Sequence, residues 1–442
     1  MVNLTHAYAA DLARYALARY VELERKPNPG PCKPRHGALP SASALEHLLS
    51  VAYQASLLRE EDRPVRFRLF VGHPEQLPAD VGPPDGMHRL RFDQPRAFDE
   101  HEIRRLSPAV KFHRALIGVR SRGGDRFEIW GIVQSGPRWL QSARGGRELP
   151  SPVPDDAVVV RVQGPGHIAL AIGDVTVVEL RAGKLSGGSS NVFESNWLAA
   201  RFRPGRHALL AEHEQLTREL DLVRLDPEAT RFVAQQMVKR LIATIQESRH
   251  GGTLVFVPQE RSAAVLGPDP SIRLKYSFAE EEPRKRYRTL ILAVMRELGL
   301  AGAALDPRPE RVGWELYRGS HRREIIQLDE AILEMSQLIA ALADVDGAVL
   351  LNERFEVLGF GGEIAGSLPD LTMIRRALDL EGTHFDLVPI DGVGTRHRSA
   401  YRLCAHEHAA FAVVVSQDGS VQFVAWHEGA PTYWEHRTDH GS

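Results

Sequence analysis

Two short stretches carry residue types that together could handle phosphate. The first is Gly394-Thr395-Arg396-His397-Arg398-Ser399-Ala400, in which two arginines flank a histidine directly after a glycine turn. A glycine turn opening a helix exposes backbone N–H groups, and arginine adds fixed charge with forked donors, a combination that suits a polyphosphate. The second is Asp346-Gly347-Ala348, a carboxylate beside a glycine that lets a ligand approach the main chain. Taken singly, each has a plainer reading: a turn before an ordinary basic surface helix, and an Asp-Gly turn whose carboxylate satisfies its own backbone. Taken together they offer a metal-binding carboxylate and an anion cradle. Phosphoryl and nucleotidyl transfer needs both, because its catalysis is mostly positioning and neutralisation of developing charge.

The elements that must position these stretches follow from the apolar pattern. Asp226-Pro227-Glu228 predicts a helix start, and Val233, Met237, Leu241 and Ile245 recur at helical spacing until His250-Gly251-Gly252. The unbroken apolar run 253–257 then predicts a strand buried on both faces. A helix through Ile332, Met335, Leu338, Ile339 and Leu342 leads by way of Asp344-Val345-Asp346-Gly347 into a strand over 348–351, with a return strand over 355–358. Strands over 411–415 and 421–426, joined by Gln417-Asp418-Gly419-Ser420, are expected to be the last two. This order predicts an α/β layer with a central mixed sheet flanked by helices. The section 258–325 reads as less regular, with the cluster Glu280 to Arg286 as a solvated turn ahead of a helix through Leu290, Val294 and Leu298.

The N-terminal half shows no such chemistry. A helix is expected over 4–23 with Tyr8, Leu12, Tyr15 and Ala16 near one face, and a second after Ser41 with Leu45, Leu48, Leu49 and Ala52 inward. The segments 26–31 and 78–84 read as breaks, and 65–71 as a strand with one basic face. Short Val- and Ile-rich strands over 116–119, 127–133, 158–162, 168–172 and 175–180 predict small antiparallel sheets. His113, Arg120 and Arg122 fit a ligand site and solvated loops equally well. We therefore expect an α+β sensing or scaffolding domain over 1–221 and an α/β domain over 222–442.

Composition narrows the partners. The 442 residues are enough for two or three domains. Lys plus Arg number 55 against 57 Asp plus Glu, which argues against a general nucleic-acid or membrane-surface binder. The two cysteines, Cys32 and Cys404, are far apart and indicate neither a disulfide framework nor a thiolate metal site. With no membrane-spanning apolar run, a cytoplasmic protein is expected.

The Asp346-Gly347-Ala348 turn, the Gly394 to Ala400 segment and the strand end Val413-Val414-Val415-Ser416 resemble, in order and spacing, the signature elements of the diadenylate cyclase (DAC) domain. Gly252-Thr253-Leu254-Val255-Phe256 is similar to that family's first core strand, and the resemblance covers about 226–430. More loosely, Arg63-Pro64-Val65-Arg66-Phe67 and Ile129-Trp130-Gly131-Ile132-Val133 resemble sensor modules fused ahead of such cyclases. The resemblance implies condensation of two ATP molecules to cyclic di-AMP with release of two pyrophosphates, in a homodimer or higher symmetric oligomer whose DAC domains face each other. It implies Asp346 as the ligand of Mg²⁺ or Mn²⁺, Arg396 and Arg398 as holders of the triphosphate, and His397 as the residue orienting the phosphates. Gly394 and Thr395 would donate hydrogen bonds, and Gly347, Ala348, Gly361 and Ser416 would contact the nucleotide.

Three departures from the family pattern stand out. Val345 occupies the place of a histidine, Gln417 follows Ser416 where the family carries glutamate, and about 258–325 is longer, as an insertion. Val345 and Gln417 motivate one alternative, a degenerate DAC domain that binds adenine nucleotide without turnover and acts as a sensor or interaction module; a cyclase that makes a different cyclic dinucleotide is another. The ligand of the N-terminal domain is not legible in the sequence.

Overall fold

The computed structural model describes residues 6–25, 39–77, 87–112, 114–134, 154, 156–173, 175–187, 190–267, 270–365 and 368–437. The breaks expected over 26–31 and 78–84, together with Leu4, Cys32 and His113, lie outside these residues. The chain divides into two compact units, one drawn from residues 1–189 and the other spanning 190–437.

In the first unit, helices Ala9–Arg25 and Ala42–Leu57 cover one face of an eight-stranded sheet. Ser41 caps the second helix by accepting from the Ala44 N–H, which fixes its start where the sequence predicts it. Leu45, Leu48, Leu49 and Ala52 meet Phe67, Leu69, Ile117, Val160 and Leu170 of the sheet. Leu12 and Ala16 are buried as expected, whereas Tyr8 and Tyr15 are exposed.

The sheet is one mixed layer, not the small antiparallel sheets expected. Phe67–Val71 inserts between Ala115–Ser121, to which it is parallel, and Val158–Gly164, to which it is antiparallel, and so joins the two groups. The anticipated basic face of that strand is turned inward. Arg68 is buried opposite Arg161, with its guanidinium over the Phe112 ring. The edge strand His88–Ala97 escaped the pattern because it is polar, exposed and carries Pro95, which only an edge position tolerates.

The second unit is built on a ten-stranded sheet. Its middle runs Val357–Ile364, Ala348–Asn352, Gly252–Val257, Phe411–Val415, Val421–His427 and Ala430–His436. Two strands, Gly252–Val257 and Ala348–Asn352, lie parallel at the centre and are buried throughout. Successive side chains alternate between two cores. Leu254, Phe256, Val349 and Leu351 face helices Pro227–Ser248, Glu281–Ala303 and Arg323–Ala343; Val255, Val257, Leu350 and Val414 face helix Thr395–His406. Asp226 caps the first of these helices through the Glu228 N–H at 3.0 Å, as its sequence predicts.

Several expectations are corrected here. The second unit begins at Ser190 and not at 222, because Phe193, Trp197, Leu198 and Phe202 belong to its core. Phe202 alone meets the rings of Phe256, Phe355 and Phe411 at 5.4–5.5 Å. The Glu280 to Arg286 cluster is no free turn but the opening of helix Glu281–Ala303, with Glu281–Lys285 and Glu282–Arg286 paired one turn apart. The return strand runs over Val357–Ile364, while Phe355 occupies a tight turn at φ +62°. The chain also adds a strand, Ala430–His436, after the two expected to be last, and a hairpin of Met373–Ala377 with Phe385–Pro389.

Candidate functional site

Strand register decides which loops meet. Thr253 lies opposite Ala348 in the parallel pair, Gly252 opposite Val415, and Ala348 opposite Gly362. The residues just beyond these positions, Gly251, Asp346-Gly347 and Ser416, therefore gather at one end of the sheet, with Gly361 against Gly347. Helix Thr395–His406 lies on the same sheet and begins at that end. Its Arg396 Nη1 donates to the His250 carbonyl at 2.9 Å, and His397 Nε2 lies 3.4 Å from Ser416 Oγ. The sequence-predicted residues are thus neighbours in space although they span 346 to 416 in the chain.

Glycine makes the floor of this end. Gly347 has φ +121°, and a Cβ there would fall 2.5 Å from the Gly361 carbonyl carbon, so the two backbones touch only because no side chain intervenes. Gly251, at φ +67°, would place a Cβ 2.6 Å from the Val415 carbonyl oxygen and 3.0 Å from Arg396 Nη1. Asp346, Thr395 and Arg398 are exposed, and Arg396, His397 and Ser416 half-buried. Among the described residues, neither the Asp346 carboxylate nor the Arg398 guanidinium has a hydrogen-bond or ion-pair partner. Gly394 precedes the helix without a side-chain cap, which leaves the first N–H groups of Thr395, Arg396 and His397 available to a ligand.

Burial holds the His397 imidazole below its ordinary value; Asp418 opposes this and the Arg396 charge adds to it. A neutral His397 can therefore both donate and accept. Two residues absent from the sequence expectation also lie here. Lys275 is ion-paired to Glu363 at 3.0 Å, and this partner, with Asp346 adding to the field, holds its ammonium above the ordinary lysine value. Nothing in the local sequence Arg273-Leu274-Lys275-Tyr276 marks it; only the pairing of Tyr276 with Phe360 brings it alongside Gly361. Gly251-Gly252, directly ahead of a buried strand, is a signal that does exist in the sequence.

Among the described residues, no group of three or more His, Cys, Asp or Glu side chains is arranged to hold a metal ion. That donor set does not make a dedicated protein cage. It does fit Mg²⁺ or Mn²⁺ delivered with a nucleotide, which takes one or two carboxylates and completes its shell with phosphate and water. His406-Glu407-His408 is committed elsewhere: Glu407 is buried and accepts from Arg261 at 2.7 Å, and His408 stacks on Trp426. A groove of about 440 Å³ lined by Arg218, Asp221, Arg224, Arg308 and Glu310 contains none of these site residues.

The second unit is a mixed α/β sheet layer with an open, glycine-floored and charged end. The first unit carries the comparison: residues 35–134 match the family model described as "Probable sensor domain DACNV". No model of a DAC catalytic domain matches. No curated protein and no solved structure matches the chain. No helix among the described residues is long and apolar enough to cross a membrane.

Proposed function

We propose that the second unit is a diadenylate cyclase, condensing two ATP into cyclic di-AMP with release of two pyrophosphates under the control of the N-terminal sensor module. The observation that carries this reading is the strand register that gathers Asp346, Gly347, Ala348, Gly361 and Ser416 with the Thr395–His406 helix start at one sheet end. The DACNV match adds support, because that module is associated with diadenylate cyclases.

On this reading the helix N-terminus, Thr395, Arg396 and Arg398 hold the triphosphate, and the Gly347 and Gly361 backbones let it lie close. Asp346 would hold Mg²⁺ or Mn²⁺, which when bound neutralises charge developing on the phosphate oxygens. His397, braced by Ser416, orients a phosphate oxygen. Each site aligns one ATP, so two copies of the unit face each other in a symmetric assembly. Each 3′-oxygen then bonds to the opposite α-phosphorus as the bond to the pyrophosphate oxygen breaks.

Intact chain incubated with ATP and either metal is expected to yield cyclic di-AMP by mass spectrometry, and no cyclic dinucleotide with either metal would refute the proposal. A second reading, an adenine-nucleotide-binding module without turnover, is favoured by two observations: no group of three or more His, Cys, Asp or Glu side chains among the described residues is arranged to hold a metal ion, and Gln417 is exposed where the family resemblance places an acid. Calorimetric ATP binding without product would select it.

A further inference from the structure

We propose that Lys275 is a phosphate-binding residue of this sheet end, its ammonium held by Glu363 until a polyphosphate displaces the carboxylate. The inference deepens, and rests on, the reading of this end as a nucleotide site. Three observations carry it.

First, Lys275 is fixed to the same glycine floor as Asp346. A Cβ on Gly361 would lie 3.2 Å from Lys275 Cβ, and Gly361 in turn touches Gly347. Second, the pair with Glu363 is half-exposed, with 42% and 53% of the two side chains accessible, so exchanging one anionic partner for another costs little. Third, the spacing selects the ligand. Arg396 lies against Gly251 and Lys275 against Gly361, beside strands separated by Ala348–Asn352. Two strand spacings are about 10 Å. One phosphate cannot bridge that gap, whereas a triphosphate chain with its nucleoside can. Lysine acts there as a compact point charge, complementing the forked arginine at the other side. It also supplies fixed positive charge beside Asp346, at an end where the protein offers few metal ligands.

The test is calorimetry on the intact chain with ATP, AMP and inorganic tripolyphosphate, each in EDTA and again with Mg²⁺. Lys275→Gln is expected to weaken ATP and tripolyphosphate about tenfold in EDTA and AMP by less than about twofold, with an unchanged Tm. Glu363→Gln, which frees the lysine, is expected to bind tripolyphosphate at least as tightly as the wild type. Tripolyphosphate affinity within twofold of wild type in Lys275→Gln, or equal weakening of ATP and AMP, overturns the inference. Lys275-dependent tripolyphosphate binding without ATP binding or conversion would leave it standing and sink the cyclase reading. Conversion of ATP to cyclic di-AMP with Lys275→Gln unaffected would do the reverse. Failure of the wild type to bind any of the three ligands rejects both.

Discussion

The two ends of the central sheet in the second unit are made by the same strands and treated in opposite ways. At the C-terminal end of Ala348–Asn352, the chain closes on itself. Asn352 is fully buried; its Oδ1 accepts from the Arg354 and Glu356 N–H groups, both at 3.0 Å, and its Nδ2 donates to Glu356 at 2.9 Å. Glu353 accepts from the Gln259 N–H at 2.8 Å, and burial raises its carboxyl above the usual range. At the N-terminal end of the same strands, Asp346 and Arg398 are exposed and unpaired among the described residues, and the floor is glycine. Open α/β sheets often bind ligands beyond the C-terminal ends of their parallel strands. Here those positions are spent on holding a turn, and the groups left without internal partners lie at the other end. The contrast separates polar residues that build the fold from polar residues available for chemistry.

Four substitutions or conditions test this contrast, from the largest effect to the smallest. Asp346→Asn should lower cyclic dinucleotide formation by at least ~100-fold, because it removes the carboxylate proposed to hold the metal, yet leave Tm unchanged. A parallel loss of Tm would make Asp346 structural and erase the distinction. Asn352→Leu should do the opposite, costing about 2–4 kcal/mol in the urea unfolding transition by orphaning two backbone N–H groups and a carboxylate. Unchanged stability there would mean that the closed end is not what holds the turn. Gly347→Ala combines both effects. At φ +121° with a Cβ 2.5 Å from the Gly361 backbone, it should cost about 1–3 kcal/mol and weaken ATP binding; wild-type values for both would remove the glycine floor from the account.

The pH effect is smaller. His436 is fully buried and held down to about 3, by burial first and then by the Lys239 charge, and His397 is depressed as well. For bases whose folded values lie below the unfolded one near 6.5, stability is fully present above that pH and is lost as pH falls toward the folded values. Tm should therefore be flat from pH 7 to 8. Below pH 6.5 the unfolding free energy, and Tm with it, should fall, the former by about 1 kcal/mol over the first pH unit for His436. His436→Gln should flatten the fall, and an identical profile in that variant would contradict the assignment.

Much of the second unit was legible because its signals are local. The unbroken run 253–257, the Asp226 cap and the glycine turns at Gly347 and Gly394 each specify one conformation, and the fold agrees with all of them. What escaped depends on distant partners. Phe202 lies between helices Asn196–Arg201 and Arg203–Leu220, and its three ring contacts, with Phe193, Trp197 and Leu198 in the same core, assign 190–221 to the second unit. The edge strand His88–Ala97 lacks alternation because it has little to bury. Lys275 entered the candidate site through strand pairing, within a section whose sequence looks like an insertion. The matched sensor module lies in the half that showed no chemistry, consistent with a part that signals instead of reacting.

Hydrogen–deuterium exchange of the intact chain with and without ATP and Mg²⁺ tests the central claim most directly. The account predicts protection at 250–253, 345–348, 360–363, 394–398 and 416–418, with no change over 352–356. Protection at the closed end, or in the groove lined by Arg224 and Arg308 with the Asp346 end unaffected, would contradict it.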